Sequence, residues 1–570
     1  MSGLIAFTGP QNPLLRAQML STLSHRGTCL ENHFETPNVT VAVCRRDNEP
    51  AIGELQTGYY REQDPAWAVA GFLLDRLPRR VQLDEMKTIR GSAAIACIEG
   101  EKLVVARDPL GCHGVYYGRA GDQWLVASEP KAITSQRKFR CTIRPASVAL
   151  YLSCSFVPGK MTMLEDLFEL EAGHYVELQT GKDPVVRRYF DFEKEEFDPA
   201  QIDNSKPDQH WVTLTRKAVE DAVAERMPSE PPAVFLSGGL DSSIVAAEVA
   251  RQSPRQIETF TIHFGKKYRH ELDFARSVAD KIGSKHHEIE INPRNFIKRF
   301  RRMVWHLDDP IGDPITQPNY EMARIVGERF GSVFNGEGGD PLFGGPKNIG
   351  MMLNHWYGVE REANFRERAY LESYRRAWSE LELLLSDRFR QQIDFATDVE
   401  AVFAPFLNGA TSGSFLNKLM SINIRFKGAN LILPKVDRML AAHGVVPLSP
   451  LFDDRLTKLS FQMPPLMKLR SGIEKFVLKK AWEDRLPPEV INRPKSGMRV
   501  PVHFWMQREM RRFAKKSLGR RQLKRTGIFN PERVRQMLKY ETEQASGRYG
   551  LRIWMLLTFE IWRQTVVEHK

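Results

Sequence analysis

The chain has 570 residues, 42% of them hydrophobic and 27% charged, a balance that fits two or more soluble domains with ample core. No apolar run is long enough to span a bilayer, and the opening Met1-Ser2-Gly3-Leu4 lacks the basic stretch of a secretory signal, so a membrane partner is excluded and a cytoplasmic setting is expected. Net charge is +12, part of it in Arg511, Arg512, Lys515, Lys516, Arg520, Arg521, Lys524 and Arg525; no aromatic residue interleaves from Lys515 to Arg525, which disfavours a nucleic-acid groove and fits a solvated helical face.

In chain order, residues 1 to about 190 carry short apolar segments separated by turn residues: Met1–Phe7, Val39–Val43, Trp67–Gly71, Ala93–Cys97 and Leu103–Ala106. That pattern predicts a sandwich of sheets with flanking helices. All six cysteines fall within the first 154 residues without CxxC pairing, so neither a zinc site nor a disulfide framework is expected. Residues 191–207 are charged and poor in apolar side chains, and we place a linker there, between a domain at 1–190 and another at 208–570.

Beyond the linker the pattern changes. Trp211–Val223 has helical spacing, Ala233-Val234-Phe235 reads as a buried parallel strand, and Ile244–Ala250 reads as a helix docked on it. Between them lies Leu236-Ser237-Gly238-Gly239-Leu240-Asp241-Ser242-Ser243. Glycines let backbone approach a phosphate, the helix start offers free N–H groups, and three serines add hydroxyls. Asp241 would repel a phosphate on its own, but it fits as a ligand of Mg²⁺ held against one. Glu258–Phe264 reads as the next parallel strand, and strand–helix alternation implies a doubly wound sheet with its ligand at the carboxyl ends. His286-His287 lie on a strand and point to opposite faces, which opposes a metal reading. Val333-Phe334 run into a second Gly-rich turn, Asn335-Gly336-Glu337-Gly338-Gly339-Asp340, which carries two acids. Residues 355–430 look helical, and Trp554, Leu556, Leu557, Phe559 and Trp562 read as core.

The Leu236–Ser243 stretch resembles the pyrophosphate loop (PP-loop) of the ATP pyrophosphatases in the form typical of the asparagine synthetase superfamily, whose members cleave ATP to AMP and pyrophosphate while adenylating a substrate. The resemblance extends over nearly the whole chain. His25-Arg26-Gly27, Ala106–Gly111 with Tyr116-Tyr117, and Ala127–Ala132 match landmarks of the family's N-terminal amidohydrolase domain. Tyr151–Tyr175 matches its bridging segment, His306–Pro314 its HLDEPxxDPS segment, Leu433–Gly444 its DR-containing helix, and Arg493–Met498 its RPKxGF element. The implied fold is an α+β N-terminal Ntn-hydrolase-like sandwich followed by an α/β doubly wound parallel-sheet PP-loop domain. The implied ATP contacts are Leu236, Ser237, Gly238, Gly239, Asp241, Ser242, Ser243, Ile262, Asn335, Gly336 and Lys475. Asp241 and Asp340 are the implied Mg²⁺ ligands, and Glu337 and Lys495 the catalytic pair. The acids of His306–Pro314 either bind a substrate amine or cap a helix.

The match departs where glutamine would be used. Ser2 stands in place of the family's nucleophilic Cys, Ala70-Gly71-Phe72 in place of Asn-Gly-Glu, and the elements that grip glutamine have no counterpart, which implies a first domain without amidase activity. In the last third, Val446 and Leu448 replace a family Glu and Arg, implying a less charged acceptor. The resemblance therefore implies an ATP- and Mg²⁺-dependent ligase that joins a small-molecule or peptide carboxylate to an amine, as the β-lactam synthetases and lasso-peptide cyclases do, with a precursor peptide and its processing protein as candidate partners. Amide formation from ammonia is the alternative within the family, and a PP-loop enzyme acting on RNA the alternative outside it.

Overall fold

In the computed structural model, residues 2–29, 33–47, 49–60, 66–76, 86, 89–192, 205–268, 271–345, 347–357, 363–409, 414–493, 498–540 and 549–568 are described. The first part is a sandwich of two antiparallel sheets, as the turn-punctuated apolar segments suggest. One seven-stranded sheet has Gly3–Thr8 near its centre, between Gln123–Ala127 and Val39–Arg45. The other has six strands, with Trp67–Leu73, Gly91–Glu99 and Lys102–Arg107 in succession. Leu4, Ala6, Val41 and Val43 meet Ala68, Ala70, Ala94, Ala96 and Val105 between the sheets. The alternate residues Ile5 and Phe7 join Met19 and Leu23, beneath the helix Pro13–Thr22. Both faces of the strand are thus buried, so it reads as a continuous apolar run.

The second part is built on five parallel strands in the order Lys285–Glu290, Glu258–His263, Ala233–Phe235, Ser332–Phe334, Val446–Leu448. Strand order reverses at Ala233–Phe235, which places a crevice at the carboxyl ends of that strand and of Ser332–Phe334, where doubly wound sheets take their ligands. The described residues of 355–430 are largely helical in short pieces, among them Phe365–Ser373, Asp387–Arg390 and Phe415–Ile422. The helix Tyr549–Trp562 is buried along its length, and no helix among the described residues is long and apolar enough to cross a membrane.

Most of the expected linker, 193–204, lies outside the described residues. Its first two residues are not linker-like: Phe192 is 3% exposed, packed on Phe461 at 5.2 Å, and Asp191 pairs with Arg425 at 2.6 Å. The HHE strand is structural. His287 Nε2 meets Glu258 Oε2 at 2.7 Å while the ring stacks on Phe260, and His286 Nδ1 meets Thr259 Oγ1 at 2.9 Å.

The two parts share a buried ionic seam. Arg26 Nη2 reaches Asp437 Oδ2 at 2.5 Å, and Arg26 Nε reaches Glu129 at 2.5 Å. Lys131 meets Glu129 on its own side and Asp308 across the seam at 2.7 Å. Burial alone would raise the Glu129 pKa, but Arg26, His25 and Lys131 hold its carboxyl well below the ordinary range.

Candidate active site

Two loops build the site, and they leave adjacent strands on the same side of the sheet. After Phe235 the chain turns through Gly238, which has a φ of +73°, and enters the helix Leu240–Gln252 with Gly239 as its N-cap. The turn is tied by its own hydroxyls. Ser242 Oγ accepts from the Ser237 amide at 3.1 Å and lies 3.0 Å from Ser237 Oγ. Ser243 is fully buried and donates to the Gly239 carbonyl at 2.8 Å, so it secures the turn instead of facing a ligand. Gly238 also lies away from the cavity wall, where a Cβ would stand 2.7 Å from the Ala275 amide nitrogen.

The second loop follows Phe334. Asn335 donates its amide N–H to the Leu448 carbonyl at 2.9 Å, and its Oδ1 accepts from the Glu337 amide at 3.1 Å and from Ser449 Oγ at 3.0 Å. Its Nδ2 is buried without an acceptor among the described residues. The loops touch through glycines: a Cβ on Gly336 would stand 2.4 Å from the Ser242 amide nitrogen, and one on Gly339 would stand 2.2 Å from Asp241 Oδ1. Larger side chains would part the loops.

Between the loops is a cavity of about 280 Å³. This lies near the lower end of small-molecule sites, roughly 300–1,000 Å³. Leu236, Ser237, Gly239, Asp241, Ser242, Ile262, Asn335, Gly336, Glu337 and Lys475 line it, so the structure gathers most of the residues expected from the sequence. Asp340 does not line the cavity; its Oδ1 lies 2.5 Å from the Lys475 ammonium, which also lies 2.5 Å from Asp241 Oδ2. Two carboxylates thus converge on one cation. Lys495 lies outside the described residues. Arg493, just before it, does reach the first loop, donating to the Gly238 carbonyl at 3.2 Å and pairing with Glu271 at 2.5 Å.

These features fit a metal–nucleotide complex. Oxygen donors converging on a point are what a hard divalent cation takes. The helix start and the serine turn suit phosphate. The orphan Asn335 amide lacks only an acceptor, and Phe260, Ile262, Met322 and Met439 supply an apolar wall. Among the described residues no group of three or more His, Cys, Asp or Glu side chains is gathered to hold a metal, so a cation here would draw its remaining ligands from phosphate or water.

Lys435 was missed as a site residue. It lines the cavity and pairs with Asp313 at 3.1 Å. Burial would lower its pKa, but the carboxylates of Asp313 and Glu337 outweigh this and raise it. Its only sequence signal was a place in the Leu433–Gly444 match, whose lysine gave no hint of facing Glu337. Asp313 also accepts from the Ile315 amide at 3.3 Å just ahead of the helix Thr316–Val326, whose N-terminus receives no side-chain cap. Asp308 and Asp309 face the first domain and not an acceptor pocket: Asp308 bonds Lys131, and Asp309 accepts from the Met163 amide at 3.1 Å. Val446 and Leu448 are buried in the edge strand and neither lines the cavity, because that segment pairs with Ser332–Phe334.

A surface hollow beside the His25–Gly27 turn is bordered by Ser24, Gly27, Thr28, Arg46 and Asp47, and neither Ser2 nor Ala70 is among its lining residues. Ser2 is fully buried and its Oγ has no hydrogen-bond partner among the described residues. Ala70 is in the inter-sheet core. Phe72 borders a void of only about 20 Å³ shared with Cys112, Leu433 and Phe452.

Comparison with known proteins accords with this geometry. The family model "Asparagine synthase" matches residues 214–564, and the model "Glutamine amidotransferase domain" matches 81–190. The chain is 26% identical to glutamine-hydrolyzing asparagine synthetase 1 of Bacillus subtilis over 493 residues, covering 82% of this chain and 76% of that one. It is 25% identical over 429 residues to carboxyethyl-arginine beta-lactam-synthase of Streptomyces clavuligerus, covering 75% and 67%. Against glutamine-hydrolyzing asparagine synthetase B of Escherichia coli it is 28% identical over 275 residues, covering 45% and 43%.

Proposed function

Starting from a chain that belongs to the asparagine synthase family, we propose an ATP-dependent carbon–nitrogen ligase that adenylates a carboxylate and transfers the acyl group to an amine of the same molecule, closing a lactam in a small molecule or peptide. The observation that carries this reading is the pairing of a nucleotide-type cavity with a first domain whose Ser2 is enclosed and whose Phe72 closes on the synthetase part. An amine is needed, and glutamine is not a credible source of it.

The substrate carboxylate oxygen attacks the α-phosphorus of ATP and pyrophosphate leaves; the amine then attacks the acyl carbon and AMP leaves. Leu236–Ser242 with Asn335 and Gly336 hold the nucleotide. A magnesium ion held by Asp241 and Asp340 would neutralise the pyrophosphate oxygens. Glu337 stands on the wall with Lys435 nearby, and its carboxylate can take the proton of the attacking amine. Lys475 and Lys495 supply positive charge to the phosphates.

The experiment is ATP–pyrophosphate exchange against a panel of carboxylates that includes aspartate and acidic peptides, with Asp241→Ala and Lys495→Ala as controls. Exchange driven by a carboxylate that also carries a free amine, with a cyclised product by mass spectrometry, supports the proposal. Exchange driven by aspartate, with asparagine formed only when ammonia is added, supports the second reading, an ammonia-using asparagine synthetase, which the 82% coverage by an asparagine synthetase favours. Loss of exchange in neither control would remove both.

A further inference from the structure

We infer that Lys475 is an internal counter-ion that holds the divalent-metal position shut until nucleotide arrives, so that the metal enters together with the phosphates and not before them. The inference rests on the proposed assignment of Asp241 and Asp340 as metal ligands.

The geometry is specific. Asp241 opens the helix after the first loop, and Asp340 lies in the short helix Gly339–Phe343 after the second. Their carboxylates come from segments far apart in sequence and meet on one atom, the Lys475 ammonium, at 2.5 Å each. The lysine is enclosed and its backbone is anchored: it is 1% exposed, its φ is +55°, and it follows the tight hairpin of Leu469–Arg470 with Ile473–Glu474. Asp241 is fixed as well, because Gly339 backs its carboxylate with no room for a Cβ. Two like charges held this close need a cation between them. In this arrangement the cation is carried by the chain.

A divalent ion entering the same place must displace that ammonium. A buried ammonium with no new anion to meet would cost more than the metal gains. The phosphates of a nucleotide provide the anion. The ammonium lines the cavity, so it can turn from the carboxylates to phosphate oxygens as the metal takes its position. Metal and nucleotide are therefore strongly coupled, and coupling of this kind is reciprocal. Removing the ammonium uncouples them: the carboxylates then accept metal alone.

The test is Mn²⁺ binding by electron paramagnetic resonance on the full chain without nucleotide. The wild type should bind weakly at the site, Lys475→Met at least tenfold more tightly, and Lys475→Met with Asp340→Asn should lose that gain. Lys475→Met should also melt at lower temperature than wild type in a chelator, and recover on adding Mn²⁺. Lys475→Gln, which is one atom shorter but keeps a polar end without the charge, gives the same readout should the Met variant fail to fold. Mn²⁺ binding by wild type as tight as by the Lys475 variants, or a gain that survives loss of Asp340, overturns the inference. A parallel titration with α,β-methylene-ATP in excess Mg²⁺ separates this failure from failure of the functional proposal: absence of nucleotide binding strikes the proposal, while an unchanged Mn²⁺ affinity in the variants strikes only the counter-ion role.

Discussion

Gly336→Ala isolates the contact between the two loops. The added methyl would stand 2.4 Å from the Ser242 amide nitrogen and 2.6 Å from its Cα, whereas an ordinary contact begins at 3.4 Å, so the loops must separate by about 1 Å. The obstructing atoms are backbone at the start of a helix, and no side chain can rotate away to relieve them. Displacements of that size around reacting groups cost on the order of 10²-fold in rate, and overpacking of this kind costs about 1–3 kcal/mol of stability. We therefore expect pyrophosphate exchange to fall by about 10²-fold in kcat/KM, with a cooperative melt retained. Gly350→Ala is the control, since nothing lies within 4 Å of its added methyl and it sits in the helix Lys347–Tyr357; it should melt slightly higher, by about 0.5–1 kcal/mol, with unchanged exchange. Wild-type exchange and unchanged KM for ATP in Gly336→Ala would refute the claim that the loops close on each other across the nucleotide.

Three further outcomes are expected. Glu129→Gln leaves Arg26 and Lys131 in the seam without their shared acid and should cost about 3–5 kcal/mol, measured by denaturant unfolding; a loss below 1 kcal/mol would mean the seam is not a unit. Asp309 is pushed by burial up to about 7 from 3.8. Its folded state holds the proton more tightly than the unfolded one, so stability from this group is present at low pH and lost as pH rises from about 4 through 7. Asp309→Asn should therefore gain about 2.5 kcal/mol over wild type on going from pH 5 to pH 8, and an equal difference at both pH values would contradict the assignment. Ser2→Ala should leave exchange unchanged and produce no loss of glutamine hydrolysis, because none is expected in the wild type; measurable glutaminase that disappears in the variant would restore the first domain as an enzyme.

What the sequence disclosed, and what it hid, follows from the range of the interactions. Val39–Val43 and Ala233–Phe235 were legible because an apolar run bounded by turn residues encodes a strand locally, and the Ser/Gly turn before Ile244 marks the junction of strand and helix. The strand Val446–Leu448 was not, because Pro447 interrupts its apolar run and the segment is a strand through its pairing with Ser332–Phe334. Asp308 and Asp309 gave the same signal as Asp313. What assigns them to the seam is Lys131 and the Met163 amide, more than a hundred residues away in sequence. Lys435 was concealed in the same way, since its meaning lies in Asp313 and Glu337 together.

The bond between Arg26 and Asp437 spans 411 residues of chain. At synthesis rates of about 5–20 residues per second, roughly 20–80 s separate the emergence of the two partners. Through that interval the sandwich, if it folds as it emerges, carries Arg26, Glu129 and Lys131 on a face whose cover has yet to be made. The three charges keep that face soluble and partly satisfy one another, where an apolar face would invite aggregation. An ionic seam of modest net stability thus gives a chain of this length an advantage during its own synthesis, in the order of events and not in the final energy.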